Sequence, residues 1–209
     1  MEKKRGKLKI YLGYAAGVGK TYAMLSDAKE VVADGIDVVV GYYEQHQRQE
    51  TDHLLEGFEV LAPKVFQFGQ TVIKEFDIDE ALARHPSLIL VDELAHSNAQ
   101  GSRHKRRYQD VEELISHGID VYTTMNIQHL ESLHDQIQQI SGISVRERVP
   151  DRMLEQADQI EIIDLEPEEL IDRLQKGKIY QPLQAKQAML NFFIVNKLSA
   201  LRELSLRKG

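Results

Sequence analysis

Between Lys9 and Thr21 the chain reads KIYLGYAAGVGKT, an apolar strand running into a glycine-rich loop that ends in Gly19-Lys20-Thr21. This is the sequence form of a phosphate-binding loop. Glycines let backbone N–H groups close around phosphate oxygens, the lysine reaches the β and γ oxygens, and the threonine hydroxyl takes a Mg2+ coordination position. A helix starting here would add its positive N-terminal end. The expected nucleotide-holding set is Gly13, Ala16, Gly17, Val18, Gly19, Lys20 and Thr21. The spacing is irregular, because the usual GxxxxGK[ST] pattern puts its first glycine where this chain has Tyr14, with Gly13 one residue early. Taken alone, the loop also fits an ordinary strand-to-helix turn.

A second motif, Leu88-Ile89-Leu90-Val91-Asp92-Glu93, is a continuous apolar run closed by two carboxylates. Such a run fits a parallel strand buried on both faces. In a nucleotide-hydrolysing site Asp92 would hold Mg2+ together with Thr21, and Glu93 would orient a water for attack on the γ-phosphate. The alternative is a buried strand with a solvated acidic turn. Both motifs in this order favour the nucleotide reading, with ATP and Mg2+ as the expected ligands. Thr123, Thr124 and Asn126 follow a further apolar run, where open α/β sheets bind ligands, so Thr124 or Asn126 would sense the γ-phosphate or else shape a β-turn.

Other polar residues carry weaker signals. The segment Glu44-Gln45-His46 follows the second strand and is a candidate loop near the nucleotide. His96 lies four residues after Asp92, but the eight histidines show no closely spaced ligand set, which favours a polar loop role over a metal ligand. Arg103, His104, Lys105, Arg106 and Arg107 form the strongest positive cluster. Such a run is usually a solvated face, and here it could instead supply an arginine to the γ-phosphate or meet anionic lipid or an acidic partner.

The elements that would position these residues alternate strand and helix in the βαβ manner that builds a parallel sheet. Expected strands are Leu8–Leu12, Asp37–Gly41, Val65–Phe68, Ser87–Asp92, Ile119–Thr124 and Ile160–Ile163. Expected helices run from about Lys20 to Ala33, with Leu25, Ala28 and Val32 on the apolar stripe, around Glu50–Gly57, near Ile78–Arg84, through Val111, Leu114 and Ile115, through Leu130, Leu133, Ile137 and Ile140, and over Glu168–Leu174. From Gln184 onward, Ala188, Met189, Phe192, Val195, Leu198, Leu201 and Leu204 describe one long amphipathic helix or two broken ones, packed on its own domain or serving as a docking surface for a downstream module. The expected architecture is a mostly parallel α/β sheet of the P-loop NTPase type, residues 1–209 forming one domain with a core to about 180 and a helical extension from about 181.

At 209 residues the chain is long enough for a real core. It has no cysteine, which removes thiol nucleophiles, zinc ribbons and disulfide frameworks and is compatible with a reducing cytosol. The net charge of −7 disfavours a general nucleic-acid binder. A basic start, MEKKRGK, before an apolar stretch resembles a secretory signal, but cleavage there would remove the loop, so the expectation is no signal and no membrane span.

The loop, the stretch LILVDELAHSNAQGSRHKRRYQDVEELISHGIDVYTTMNIQHLESLHD, the segment RVPDRMLEQADQIEIIDLEPEELIDRL and the closing NFFIVNKLSALRELSLR together resemble the cytoplasmic N-terminal domain of the KdpD family of potassium-responsive sensor histidine kinases. The resemblance covers essentially the whole chain. It implies a regulatory ATP-binding domain of a two-component sensor that controls potassium-transporter expression, with further sensor-kinase modules, a response regulator acting through them, and a parent protein in the plasma membrane. It matches Gly13, Gly17, Gly19, Lys20 and Thr21 to the family's phosphate loop and Asp92 and Glu93 to its acidic strand end. Tyr14 and Ala16 stand where the family commonly has Ala and Pro, and Gln100 replaces a frequent proline. Tyr14 would lie against the nucleotide or pack beneath the loop. Two other functions stay open: a free-standing P-loop NTPase or small-metabolite kinase, and a scaffold with a vestigial loop.

Overall fold

The computed structural model describes residues 4–44, 49–176 and 195–208. Its centre is a six-stranded sheet in the order β3-β2-β6-β7-β1-β8, with every pairing parallel. The strands are β1 (Leu8–Gly13), β2 (Val38–Tyr42), β3 (Glu59–Val60), β6 (Leu88–Val91), β7 (Asp120–Asn126) and β8 (Gln159–Ile162). All six residues of β1 and all four of β6 are buried. Continuous apolar runs do this because a parallel sheet is covered on both faces, so neither side of the strand meets water.

The two faces have separate cores. On one, Tyr11, Val38, Val40, Leu88 and Leu90 pack against Met24, Leu25 and Ala28 of α1 (Lys20–Ala33). On the other, Ile10, Leu12, Val39, Ile89, Val91 and Val121 meet residues of α3 (Ile78–Arg84), α4 (Arg107–Ser116), α5 (His134–Ser141), α7 (Pro167–Gln175) and α8 (Val195–Lys208). Alternate residues of each strand thus face opposite helical layers, as the two-residue strand period requires. The expected helix boundaries at Lys20–Ala33 and Ile78–Arg84 match, and the mostly parallel α/β expectation holds.

Several elements differ from their sequence forms. Val32 of α1 is exposed rather than part of the apolar stripe, where Met24 takes a buried place. The run Val65–Phe68 belongs not to the main sheet but to an antiparallel hairpin, β4 (Lys64–Phe68) with β5 (Thr71–Glu75), turning at Gly69 with φ +62°. The expected helix at Glu50–Gly57 is a short α2 (Gln49–Asp52) followed by a 3-10 turn at His53–Leu55. The stripe Leu130 to Ile140 is not one helix: 3-10 turns at Ile127–His129 and Glu131–Leu133 precede α5, and a short α6 (Arg152–Glu155) comes after it.

In α8, Leu198 and Leu201 are fully buried against the domain, while Ala188, Met189 and Phe192 lie outside the described residues. Among the described residues no helix is long and apolar enough to cross a membrane.

Candidate functional site

The site is assembled at the C-terminal ends of β1, β6 and β7. Crossovers leave β1 toward β2 on one side and arrive at β8 on the other. Open α/β sheets bind ligands at such a switch point. β7 lies between β1 and β6, with Gly13 paired to Asn126 and Val91 to Thr123. This register sets the glycine loop, the acidic strand end and the end of β7 side by side.

Gly17 and Gly19 have φ of +89° and +108°, in the left-handed region where a side chain would be strained. Gly19 is the N-cap of α1, so the loop ends on the helix N-terminus. A Cβ on Gly13 would stand 2.6 Å from Val18 Cγ2, which makes glycine necessary where the loop folds over its own strand. Lys20 Nζ donates to Ala15 O at 3.0 Å, laying the side chain across the loop. Ala16 is half-buried and Val18 is buried against the core. Tyr14 is fully buried and its hydroxyl donates to Leu165 O at 2.8 Å. Of its two expected placements, it therefore packs beneath the loop.

Asp92 is almost entirely buried and gathers the other groups. Thr21 Oγ1 donates to its carboxylate at 3.3 Å, across 71 residues of sequence. Thr124 Oγ1 donates to Asp92 Oδ1 and accepts from Glu93 N at 3.0 Å, while Glu44 N approaches Asp92 Oδ2 at 3.4 Å. Thr123 and Thr124 sit inside β7 and are buried, which corrects the β-turn alternative. Thr124 positions the acidic pair, since its hydroxyl is engaged on both sides.

Glu93 has φ +60°, unusual for a residue with a side chain, and two acceptors hold its N–H in that turn. Burial, then the Asp92 and Glu44 charges, push its carboxyl up to about 7. The nearby Arg107 and His96 charges offset part of this crowding of carboxylates. Among the described residues no group of three or more His, Asp or Glu side chains can hold a metal unaided. A magnesium ion here would take most of its ligands from phosphate and water, as it does in nucleotide sites.

In β7 and the turn that follows it, Thr123 Oγ1, Asn126 Oδ1 and Gln128 Oε1 are buried with no hydrogen-bond partner among the described residues. His129 is next along the chain, its Nδ1 2.8 Å from Glu147 O, so Nδ1 carries the hydrogen and Nε2 is left as the acceptor. Burial first, with the nearby Lys20 charge adding, pulls its pKa below the ordinary value.

The model of the KdpD family, described as the osmosensitive K+ channel His kinase sensor domain, matches residues 4–209. This chain belongs to the KdpD family. It is 52% identical over 206 residues to the sensor protein KdpD of Clostridium acetobutylicum and 53% identical over 204 residues to that of Escherichia coli. These matches cover 99% and 98% of this chain and 23% of each relative. A putative sensor protein KdpD of Synechocystis is 50% identical over 205 residues, 98% of this chain and 55% of the relative. The chain thus spans about a quarter of the length of the first two relatives.

Within this KdpD domain the basic cluster is not a uniform solvated face. Arg107 is completely buried: Nη1 donates to Asp92 O at 3.0 Å, Nη2 to Glu75 Oε2 at 3.2 Å, and the guanidinium lies 4.0 Å from the Tyr42 ring centroid. Arg103 pairs with Asp79 and Glu113, His104 with Glu113, and Arg106 with Ser97, leaving Lys105 exposed. His96 pairs with Glu75 at 3.0 Å, a loop role. Glu44 joins the site through its backbone, whereas Gln45 and His46 lie outside the described residues.

Two residues at the site had no signal in the sequence. His129 lies in the turn directly after β7, and Arg173 comes from α7, its Nη1 3.5 Å from Gly17 O of the glycine loop. A single arginine within a charged helix has no spacing that marks it.

Proposed function

We propose that this domain is the regulatory nucleotide-binding module of a KdpD-type sensor histidine kinase, binding ATP with Mg2+ at the glycine loop. The observation that carries this reading is the approach of Thr21 Oγ1 to Asp92 at 3.3 Å, beside a loop whose Gly17 and Gly19 are left-handed. Gly13, Ala16, Gly17, Val18 and Gly19 shape the cradle, and Lys20 exchanges its Ala15 carbonyl for a phosphate oxygen. Thr21 and Asp92 hold the magnesium ion, which would supply the positive charge that neutralises the phosphates. Glu93, fixed in its strained turn by Thr124, orients a water where turnover is slow. Asn126 offers its orphaned Oδ1 to that water.

Under this reading the module lies on the cytoplasmic side of a membrane-bound parent. Its occupancy biases the downstream kinase modules and, through them, a response regulator. Such a bias requires that ATP bind one conformation better than the other, because equal affinity shifts no equilibrium.

The Mg2+ dependence of ATP binding, measured by titration calorimetry, tests the arrangement. Asp92→Asn keeps the side-chain shape but removes the charge facing the ion. Mg2+ is expected to tighten ATP binding to the parent domain, and Asp92→Asn to lose tenfold or more of that gain. An identical Mg2+ effect in both proteins would refute the role of Asp92.

A further inference from the structure

The site contains two cations that rest on the same loop. Lys20 Nζ lies on Ala15 O, and Arg173 Nη1 lies on Gly17 O, the carbonyl two residues further along. Lys20 belongs to the motif. Arg173 comes from α7, 156 residues away, and its side chain is 36% exposed. Its contact of 3.5 Å is at the outer limit of a hydrogen bond, and its carboxylate contact among the described residues, Glu169 Oε1 at 3.3 Å, is a half-exposed neighbour one helical turn back. Exposed pairs of that kind contribute little. Arg173 is therefore weakly committed among the described residues and placed against the backbone that would surround a phosphate.

The helix bearing it is held firmly, so the placement is built rather than incidental. Leu170 and Leu174 of α7 are fully buried in the core that also contains Leu198 and Leu201 of α8. At the entrance to α7, Tyr14 of the loop bonds Leu165 O, and Arg202 of α8 forms a fork with Asp164 and reaches Glu166. The entrance to α7 is thus anchored to the phosphate loop on one side and to α8 on the other.

We propose that Arg173 is a phosphate-binding arginine supplied in cis, which leaves Gly17 O and Glu169 to form a charge-assisted contact with the terminal phosphate of a nucleoside triphosphate. This deepens the nucleotide reading above and rests on it. Arginine suits the task because its planar fork presents donors to two phosphate oxygens at once, whereas a lysine presents a point charge. A contact made to the terminal phosphate distinguishes triphosphate from diphosphate, which the glycine loop alone does poorly.

Dissociation constants for ATP·Mg2+ and ADP·Mg2+ would be measured on the intact domain and on Arg173→Gln, Arg173→Lys and Glu169→Gln. Expected is a loss of about tenfold or more for ATP in Arg173→Gln, the scale of one hydrogen bond to a charged group. ADP binding should change by less than about threefold. Arg173→Lys should recover part of the loss, and Glu169→Gln should bind ATP at least as well as the parent, since it frees the guanidinium. A structural role for the Arg173–Glu169 pair predicts instead that both removals act alike and on both nucleotides. That result, or unchanged ATP binding in Arg173→Gln, overturns the assignment. If the parent binds neither nucleotide, the nucleotide reading itself fails and takes this assignment with it.

Discussion

Asp110 is buried near the start of α4 and accepts a hydrogen bond from Asn98 Nδ2 at 2.8 Å. Burial outweighs that bond and the nearby His104 and Arg107 charges, and the carboxyl is pushed up to about 6. An unfolded aspartate titrates near 3.9, so between about pH 4 and pH 6 the native state holds more protons than the unfolded one. The stability that Asp110 contributes is therefore complete below about pH 4 and lost as pH rises through about 6. Asp110→Asn keeps an acceptor for Asn98 and removes the titration. Its stability relative to the parent should improve by about 1–3 kcal/mol from pH 4 to pH 8 in denaturant melts. A difference independent of pH would contradict this electrostatic picture.

Burial at this scale is a property of the tertiary fold, which is why the residue-level readings divide as they do. The glycines, Lys20, Thr21 and Asp92 stand in short motifs whose spacing marks them in the sequence, and the fold sets those motifs side by side. Arg107 was not so marked, because a run of five basic residues resembles a wet surface until one member is found beneath Tyr42. Tyr14 was ambiguous for a related reason. Its partner, Leu165 O, is a backbone atom 151 residues away.

At the scale of elements, α4 is pinned by its first residue. Arg107 joins it to β5 through Glu75, to the end of β6 through Asp92 O, and to β2 through the Tyr42 ring. Truncation to Arg107→Ala would leave the buried Glu75 without its guanidinium, beside His96 and the Ala99 N–H, and should cost about 3–5 kcal/mol, the usual penalty for breaking a buried pair. Lys105→Ala, two residues away and exposed, should stay within about 0.5 kcal/mol of the parent in the same chemical melts. Equal effects would return the whole cluster to the surface.

The elements whose periods were unmixed were readable, notably β1, β6 and α1. The stretch after β7 was not. Ile127, Leu130 and Leu133 repeat at intervals of three, which fits the 3-10 period as well as a helical face. Leu130 is extended and bridges to Val149 in parallel, a long-range pairing that interrupts any single helix. The hairpin β4–β5 had a local signal, Gly69-Gln70 between two strand-like runs, which a strict βαβ alternation passes over.

For the whole molecule, the parallel sheet brings residues from opposite ends of the chain to one edge. β1 contributes the loop, β6 the acidic pair, β7 Thr124 and Asn126, and α7 Arg173. The loop and the last described helix converge on residues 164–166, through Tyr14 on one side and Arg202 on the other. The glycine loop and α8 are thus joined through hydrogen bonds to one short segment.

The central claim is that the glycine loop binds ATP, and thermal unfolding with and without saturating ATP·Mg2+ tests it most directly. A ligand held at about 100 times its dissociation constant adds roughly 2.7 kcal/mol, which for a domain of this size raises Tm by about 5–10 °C. The parent domain should show that rise and Lys20→Ala should show none. An unshifted parent at millimolar ATP, or an equal shift in both proteins, would contradict the account.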